Sequence, residues 1–455
     1  MTQSIRESAR YLAMVDLVAI NQGAFSDQVV NQRLKGHHFS DPDRRLYTRL
    51  VYGTTQYRLP LTAIFKDLVA KPKGVKSWLK QLILMSLYQF YYMDQVPDHA
   101  VVDEAVKITK KRGNYQLSRF TNGVLRNARR QYPDLASFLA SQAQDWLTQS
   151  QLKYSIPATW VTYFERRFGR DQAELVMASF NQDSHLTIRV NQHDWPQETS
   201  IIKDLTDQGL ELEASPLTAH CYRIGRGNVS QTPAFLAGQI TIQDESAALA
   251  VEVMAPQAGE RVLDLCAAPG GKTVQMAERV GSDGQVMAQD IASDKLALIV
   301  ENLKRMGVAD QVALSQGDAR QASHKYPAES FDRILVDAPC SGIGLFRRKP
   351  DTKYRKELAD LSSLQDIQLE ILQEAVKLLK KDGILTYSTC TITAEENQQV
   401  VERILDQVDQ LQPQPLPGEL MNDQVKRALT SSSSLEILPH YVSSDGFFIA
   451  NFIKK

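Results

Sequence analysis

Cysteine is scarce in this chain, with four residues in 455. Cys221, Cys266, Cys340 and Cys390 have at least 44 residues between neighbours, so no C-x-x-C zinc or redox unit exists. No structural metal is expected. Long apolar runs are missing too: nothing approaches the roughly 20 residues that cross a bilayer. The start MTQSIRESARYLAMVDL has no secretory pattern. G-x-G-x-x-G is absent from the glycine-rich stretch near 270, and Walker A would need a glycine where Cys266 stands. Neither a dinucleotide dehydrogenase nor a P-loop NTPase is supported. No internal repeat stands out, and SSSS at 431–434 reads as a short surface loop. A cytoplasmic protein with free thiols and two or three domains is expected.

Net charge is also nearly absent, at -1, but the balance is uneven. Residues 1–130 hold 21 Lys plus Arg against 10 Asp plus Glu, whereas the remaining 325 hold 31 against 43. A basic first domain attracts a polyanion, which favours RNA or DNA as partner. Ordinary solvated charge is the alternative.

Hydrophobic spacing divides the chain into three regions. Residues 1–145 read as an all-α domain. WLKQLILMSLYQFYYM (78–93) is almost wholly apolar, as a central bundle helix is, and HAVVDEAVKITKKRG (99–113) has helical spacing and a glycine stop. Leu117 to Arg130 carries Arg119, Arg126, Arg129 and Arg130 on a basic polar side. Glutamine-rich sequence at 131–153 reads as a linker. Residues 146–235 hold linker helices and a small α+β module, with LTIRV and HCYRIG as strands around a helix at 200–210. From 236 to 455, RVLDL, QVMAQ, QVALS and DRILV alternate with helical segments. That alternation predicts a parallel sheet covered on both faces.

Acids recur at the carboxyl ends of these strands: Asp264, Asp290, Asp318 and Asp337. Open α/β sheets bind ligands along that edge. A helix cap is the alternative for any one of them, Asp318 above all. The loop Ala267-Ala268-Pro269-Gly270-Gly271-Lys272 lets backbone approach a ligand, with a helix N-terminus behind it. Asp290, 26 residues beyond Asp264, suits a ribose diol. Two thiols follow hydrophobic runs, Cys340 in VDAPCSG and Cys390 in LTYSTC. Buried packing thiols are the alternative. Arg347 and Arg348 follow the first of these loops and are candidate phosphate contacts.

DLCAAPGGKT, VDAPCSGIGLFRRKPD, YSTCTITAEEN and DGFFIA together resemble the RNA cytosine-C5 methyltransferases that use S-adenosylmethionine. DRRLYTRLVYG, QVPDHAVVDEAV and RFTNGVLRNARR resemble the NusB-like RNA-binding domain of the bacterial small-subunit ribosomal RNA methyltransferases. LTIRVN (186–191), with Arg189, resembles the start of their small RNA-binding module. The resemblance covers nearly the whole chain. It implies a multidomain protein: an all-α helical RNA-binding domain, the small α+β module and an α/β Rossmann-like methyltransferase domain. It further implies that loop 266–272, from Cys266 to Lys272, wraps the methionine and sugar of S-adenosylmethionine. Asp290 would hold the ribose and Asp318 lie at the adenine, while Asp337 faces the meeting point of cofactor and base. Cys390 would be the nucleophile and Cys340 would assist product release. Ile343 stands where threonine is common and Tyr354 where tryptophan is common. The implied partner is 16S ribosomal RNA and the implied state a monomer. Transfer RNA, another RNA or DNA as substrate, and a catalytically inactive RNA-binding regulator, are the competing readings.

Two thiols suit such chemistry. Carbon 5 of cytosine is a poor nucleophile until a thiolate adds at carbon 6 and makes an enamine. The adduct must then lose its carbon-5 proton and expel the thiol, which requires a base or a route to one.

Overall fold

The computed structural model describes residues 5–455. The chain divides into two compact units: residues up to Asn181 with Phe346–Lys356, and Gln182–Leu345 with Glu357–Lys455. Among the described residues no helix is long and apolar enough to cross a membrane, and no group of three His, Cys, Asp or Glu could hold a metal.

The first unit is helical. Its central helix, Ser77–Tyr92, buries Leu82, Ile83, Leu84, Met85 and Leu87, which explains its almost unbroken apolar sequence. Beside it Asp16 is buried, and Arg33 (2.8 Å) and the Tyr47 hydroxyl (2.7 Å) both donate to it. The helix Tyr115–Gln131 turns Thr121, Val124, Leu125 and Ala128 inward. Arg119, Arg126 and Arg130 are exposed, and spacings of seven and four put them on one stripe. Arg129 is instead half-buried and paired with Asp98 at 2.6 Å.

Residues 131–153 are not a bare linker. Asp134 and Ser137 form a capping box at Leu135–Ala140, and Asp145 caps Trp146–Tyr154. These side-chain caps satisfy the orphan N–H groups of short helices that polarity alone conceals. The segment Phe346–Lys356 completes the unit. Phe346 packs on Trp160 and Phe180, and the Tyr354 hydroxyl meets Ser155 Oγ (2.9 Å) and the Gln56 carbonyl (3.0 Å). Arg347, expected at a phosphate, is buried here and already engaged within the chain. Arg348 is half-buried and likewise engaged, so neither is an open cation.

The second unit begins with a small antiparallel sheet. Its strands are β1 (Leu186–Val190), β2 (Glu211–Ala214), β3 (Cys221–Arg226) and β4 (Ile240–Ile242), in the order β2-β3-β1-β4. Arg189 on β1 corrects an expectation. It is 3% exposed, and its guanidinium donates to both Glu278 oxygens (2.5 and 3.0 Å) and to Gln243 (2.8 Å). An arginine so committed cannot reach an RNA phosphate. It fastens the small sheet to the helix Gly271–Val280.

The large sheet has eight strands: β5 (Arg261–Asp264), β6 (Gln285–Asp290), β7 (Val312–Gln316), β8 (Phe331–Asp337), β9 (Leu379–Thr389), β10 (Leu411–Pro413), β11 (Ser434–Ile437) and β12 (Phe447–Lys454). The order is β7-β6-β5-β8-β9-β12-β10, with β11 also on β12. The five strands β5 to β9 are parallel, as alternation with helices predicts. β12 is antiparallel to β9, so the sheet is mixed at that edge. The serine run ends inside it: Ser433 and Ser434 are buried, and Ser434 opens β11.

Removing Glu278 would strand the Arg189 charge in the interior. We expect Glu278→Ala to lower unfolding stability by about 3–5 kcal/mol. Adding Arg189→Met should recover most of that loss in urea denaturation. A double variant no more stable than Glu278→Ala would show that the pair is not the fastening.

Candidate active site

The order of the large sheet reverses between β5 and β8. From β5 the chain moves outward to β6 and β7, and from β8 it moves the other way to β9. A crevice forms at the carboxyl ends of strands where connections diverge like this. Asp264 ends β5 and Asp337 ends β8, so two acids flank the crevice because of topology.

A cavity of about 200 Å³ opens there, lined by Asp264, Cys266, Ala267, Ala268, Pro269, Gly271, Lys272 and Asp337 among others. Gly270 caps the helix Gly271–Val280 with positive φ, and a Cβ there would come within 3.1 Å of Ile299. The helix N-terminus thus faces the loop. Asp290 braces that loop: one oxygen accepts from the Ala268 N–H (3.0 Å), the other from the Ala292 N–H (3.0 Å). Asp318 caps the turn at Ala319–His324 and pairs with Arg320 at 2.7 Å, which lowers its pKa. Its capping role is therefore present, and it does not line this cavity.

Lys272 Nζ lies 2.7 Å from Asp337 and 5.4 Å from the Phe447 ring centroid. Burial works against its charge, but Asp337 more than compensates and the ammonium titrates above its ordinary value. Asp264, one of the strand-end acids, is the most perturbed acid in the crevice. Its Oδ2 accepts from Thr273 Oγ1 (2.7 Å), while the buried Oδ1 has no partner. Burial first, and Asp337 in addition, push its pKa up to about 7. An orphaned buried acceptor in a cavity awaits a donor, and the amino group of S-adenosylmethionine is one. With the glycine loop and the helix N-terminus at the cavity, and Asp290 bracing that loop without lining the cavity, these residues fit that cofactor.

On the other flank, β8 and β9 bring the two thiols together. Asp337 pairs in register with Ser388, whose hydroxyl donates to Asp337 Oδ1 (2.7 Å). Cys340 Sγ and Cys390 Sγ lie 3.2 Å apart, and neither is fully buried. The bond to Cys390, then burial, hold the Cys340 thiol well above its ordinary pKa. Cys221 is buried, and Cys266 packs against the Leu263 and Leu265 core. Of four cysteines, only these two meet. A larger cavity, about 800 Å³, surrounds Asn191, Glu278 and Arg305 at the far end of the helix Gly271–Val280. It holds none of the thiols.

Known proteins resemble this chain along nearly its whole length. The family described as 16S rRNA methyltransferase RsmB/F matches residues 251–453, and the NusB family matches residues 7–130. A Bacillus subtilis protein named probable ribosomal RNA small subunit methyltransferase B is 37% identical over 451 residues, covering 99% of both chains. Among solved structures, one titled PH0851 superposes with a TM-score of 0.82 at 24% identity, covering 100% of both chains. A methyltransferase homolog from Pyrococcus horikoshii, 27% identical, covers 69% of this chain and 100% of its own, with a TM-score of 0.58.

If the cofactor's cation sits against Asp264, binding must favour the ionised carboxylate. Affinity for S-adenosylmethionine should then rise with pH up to about 7, because the free acid is neutral below that value, and fall again once the cofactor's amino group loses its proton at about pH 8. Calorimetry should show this rise in the intact protein and a flat, weaker profile in Asp264→Asn. Equal pH dependence in both would remove Asp264 from the cofactor site.

Proposed function

The chain belongs to the RsmB/F family of 16S rRNA methyltransferases, and from that we propose that it methylates carbon 5 of a cytosine in 16S ribosomal RNA through a covalent cysteine adduct. The observation that carries this reading is the 3.2 Å approach of Cys340 and Cys390 beside the Asp337–Lys272 pair. S-adenosylmethionine supplies the electrophilic methyl group. Cys390, at the end of β9, adds as thiolate to carbon 6 of the cytosine, and the electron pair of the 5,6 double bond becomes available at carbon 5. Asp337 is placed to hydrogen-bond the ring edge and favour protonation at N3. Lys272 fixes the direction of that carboxylate. After methyl transfer the carbon-5 proton leaves, the carbon 6–sulfur bond breaks and Cys390 departs as thiolate. Cys340, with its sulfur 3.2 Å from that of Cys390, assists this last step through a water.

The target base must reach the crevice unstacked, at an energetic cost smaller for unpaired RNA. The helical unit supplies the polyanion contact through the Arg119, Arg126 and Arg130 stripe, and the action is cytoplasmic. Replacing all three with alanine should weaken binding of a 16S fragment and lower the slope of log K against log salt by about 2 to 3. An unchanged slope in fluorescence anisotropy would place the RNA contact elsewhere.

The thiol roles separate on a denaturing gel. Cys390→Ser should abolish turnover and form no covalent complex with cofactor and RNA. Cys340→Ser should permit attack and methyl transfer but stall elimination, so a complex accumulates. A complex in Cys390→Ser and none in Cys340→Ser would reverse the assignment.

A further inference from the structure

Each of the two thiol loops is fastened to one of two adjacent residues, Glu396 and Asn397. Glu396 is wholly buried and accepts four hydrogen bonds. Its Oε1 takes the Ser341 N–H (2.7 Å) and Gln368 Nε2 (3.2 Å), and its Oε2 takes the hydroxyls of Ser341 (2.5 Å) and Thr393 (2.7 Å). Ser341 directly follows Cys340. Gln368 Nε2 also donates to the carbonyl of Pro339, directly before it (3.0 Å). Cys340 is therefore held on both sides.

Asn397 does the same for Cys390. Its Oδ1 accepts from Thr389 Oγ1 (2.6 Å), and its Nδ2 donates to the Thr391 carbonyl (3.1 Å). The two loops also touch directly, through Ser341 Oγ and Thr391 Oγ1 at 2.9 Å and through the Gly344 N–H to the Cys390 carbonyl at 3.1 Å. A carboxylate is suited to the first position because both its oxygens accept only, and each takes more than one donor. No neutral side chain presents that many acceptor sites to a backbone N–H and two hydroxyls together.

We propose that Glu396, with Asn397, is the positioning pair that sets the approach of Cys340 to Cys390, so that the thiol assisting release stays in reach of the one that attacked. This rests on the roles given to the two thiols above. The buried charge has a second consequence. Behind the hydrogen bond to Cys390 and burial, it adds with Asp337 to what holds Cys340 as the neutral thiol, so the carbon-5 proton goes to a water that Cys340 positions.

The test uses the full chain without RNA. Diamide, an azo oxidant, takes up two electrons and two protons as two thiols become a disulfide, so its rate reports how readily Cys340 and Cys390 meet. Glu396→Ala should slow that cross-link about tenfold or more. Glu396→Gln, which keeps the shape but only one acceptor oxygen, should restore part of the rate. The pH midpoint for iodoacetamide labelling of Cys340, followed by mass spectrometry, should fall in Glu396→Gln as the charge is lost. Should Glu396→Ala not fold by circular dichroism, Glu396→Gln and Ser341→Ala carry the test through the labelling midpoint and the cross-linking rate respectively. Unchanged cross-linking in folded Glu396→Ala, or in Ser341→Ala where that variant stands in, overturns the proposal. So does an unchanged labelling midpoint in Glu396→Gln. Turnover surviving the loss of both thiols would sink the catalytic reading instead and leave these thiol measurements valid.

Discussion

The register in which β8 pairs with β9 sets what this site can be. Val336 lies opposite Tyr387 and Asp337 opposite Ser388, so Cys340 emerges three residues beyond one partner and Cys390 two beyond the other. Fifty residues of chain separate these thiols, and the register returns both of their loops to one end of the sheet. A slip of one residue would turn each side chain of the strand to the opposite face. Burial prevents that slip: Leu385, Tyr387 and Phe448 are at most 1% exposed, and the Tyr387 hydroxyl donates to the Glu396 carbonyl at 2.6 Å. The crossing of the loops is equally tight. A Cβ on Gly344 would lie 2.1 Å from the Gly446 carbonyl oxygen and 2.8 Å from that of Cys390. Glycine at both Gly344 and Gly446 is what lets the loop after Cys340 touch the backbone that carries Cys390.

Electrostatics follow from the same topology. Parallel strands ending side by side bring Asp264 and Asp337 to one crevice with Lys272 as their cation. Two carboxylates near one another in low dielectric cannot both ionise at ordinary cost. The structure resolves this by pairing Asp337 with Lys272 and leaving Asp264 to titrate upward. Asp337 has its cation in Lys272, and Asp264, raised first by burial and then by Asp337, is left to meet whatever cation enters. The helical unit has a simpler design, with apolar residues inward and arginines outward on a single helix.

Much of this was legible in the sequence because the signals were local. The buried parallel strands announced themselves as short apolar runs, and each is observed within a residue or two of its expected bounds. The glycine loop and the cysteines after strands pointed to the crevice in the same way. Long-range pairing was not legible. Arg189 sits in a short stretch that resembles an RNA-binding module, and only the fold shows Glu278, 89 residues away, neutralising it. Arg347 and Arg348 form a basic run in sequence, but the first is buried and both have partners within the chain. Asp264 looked like one of four strand-end acids, and its orphaned oxygen appears only in three dimensions. Glu396 and Asn397 end the stretch YSTCTITAEEN, yet their contacts to Ser341 and Thr389 follow from no spacing in the sequence.

Carbon 5 of cytosine carries a hydrogen that methylation at that atom must release. The most direct measurement uses 16S ribosomal RNA with tritium at carbon 5 of its cytosines, incubated with the protein and S-adenosylmethionine. Tritium should enter water in equal amount to methyl incorporated, and Cys390→Ser should release none. Methyl incorporation without tritium release would place the modification on another atom and contradict the account.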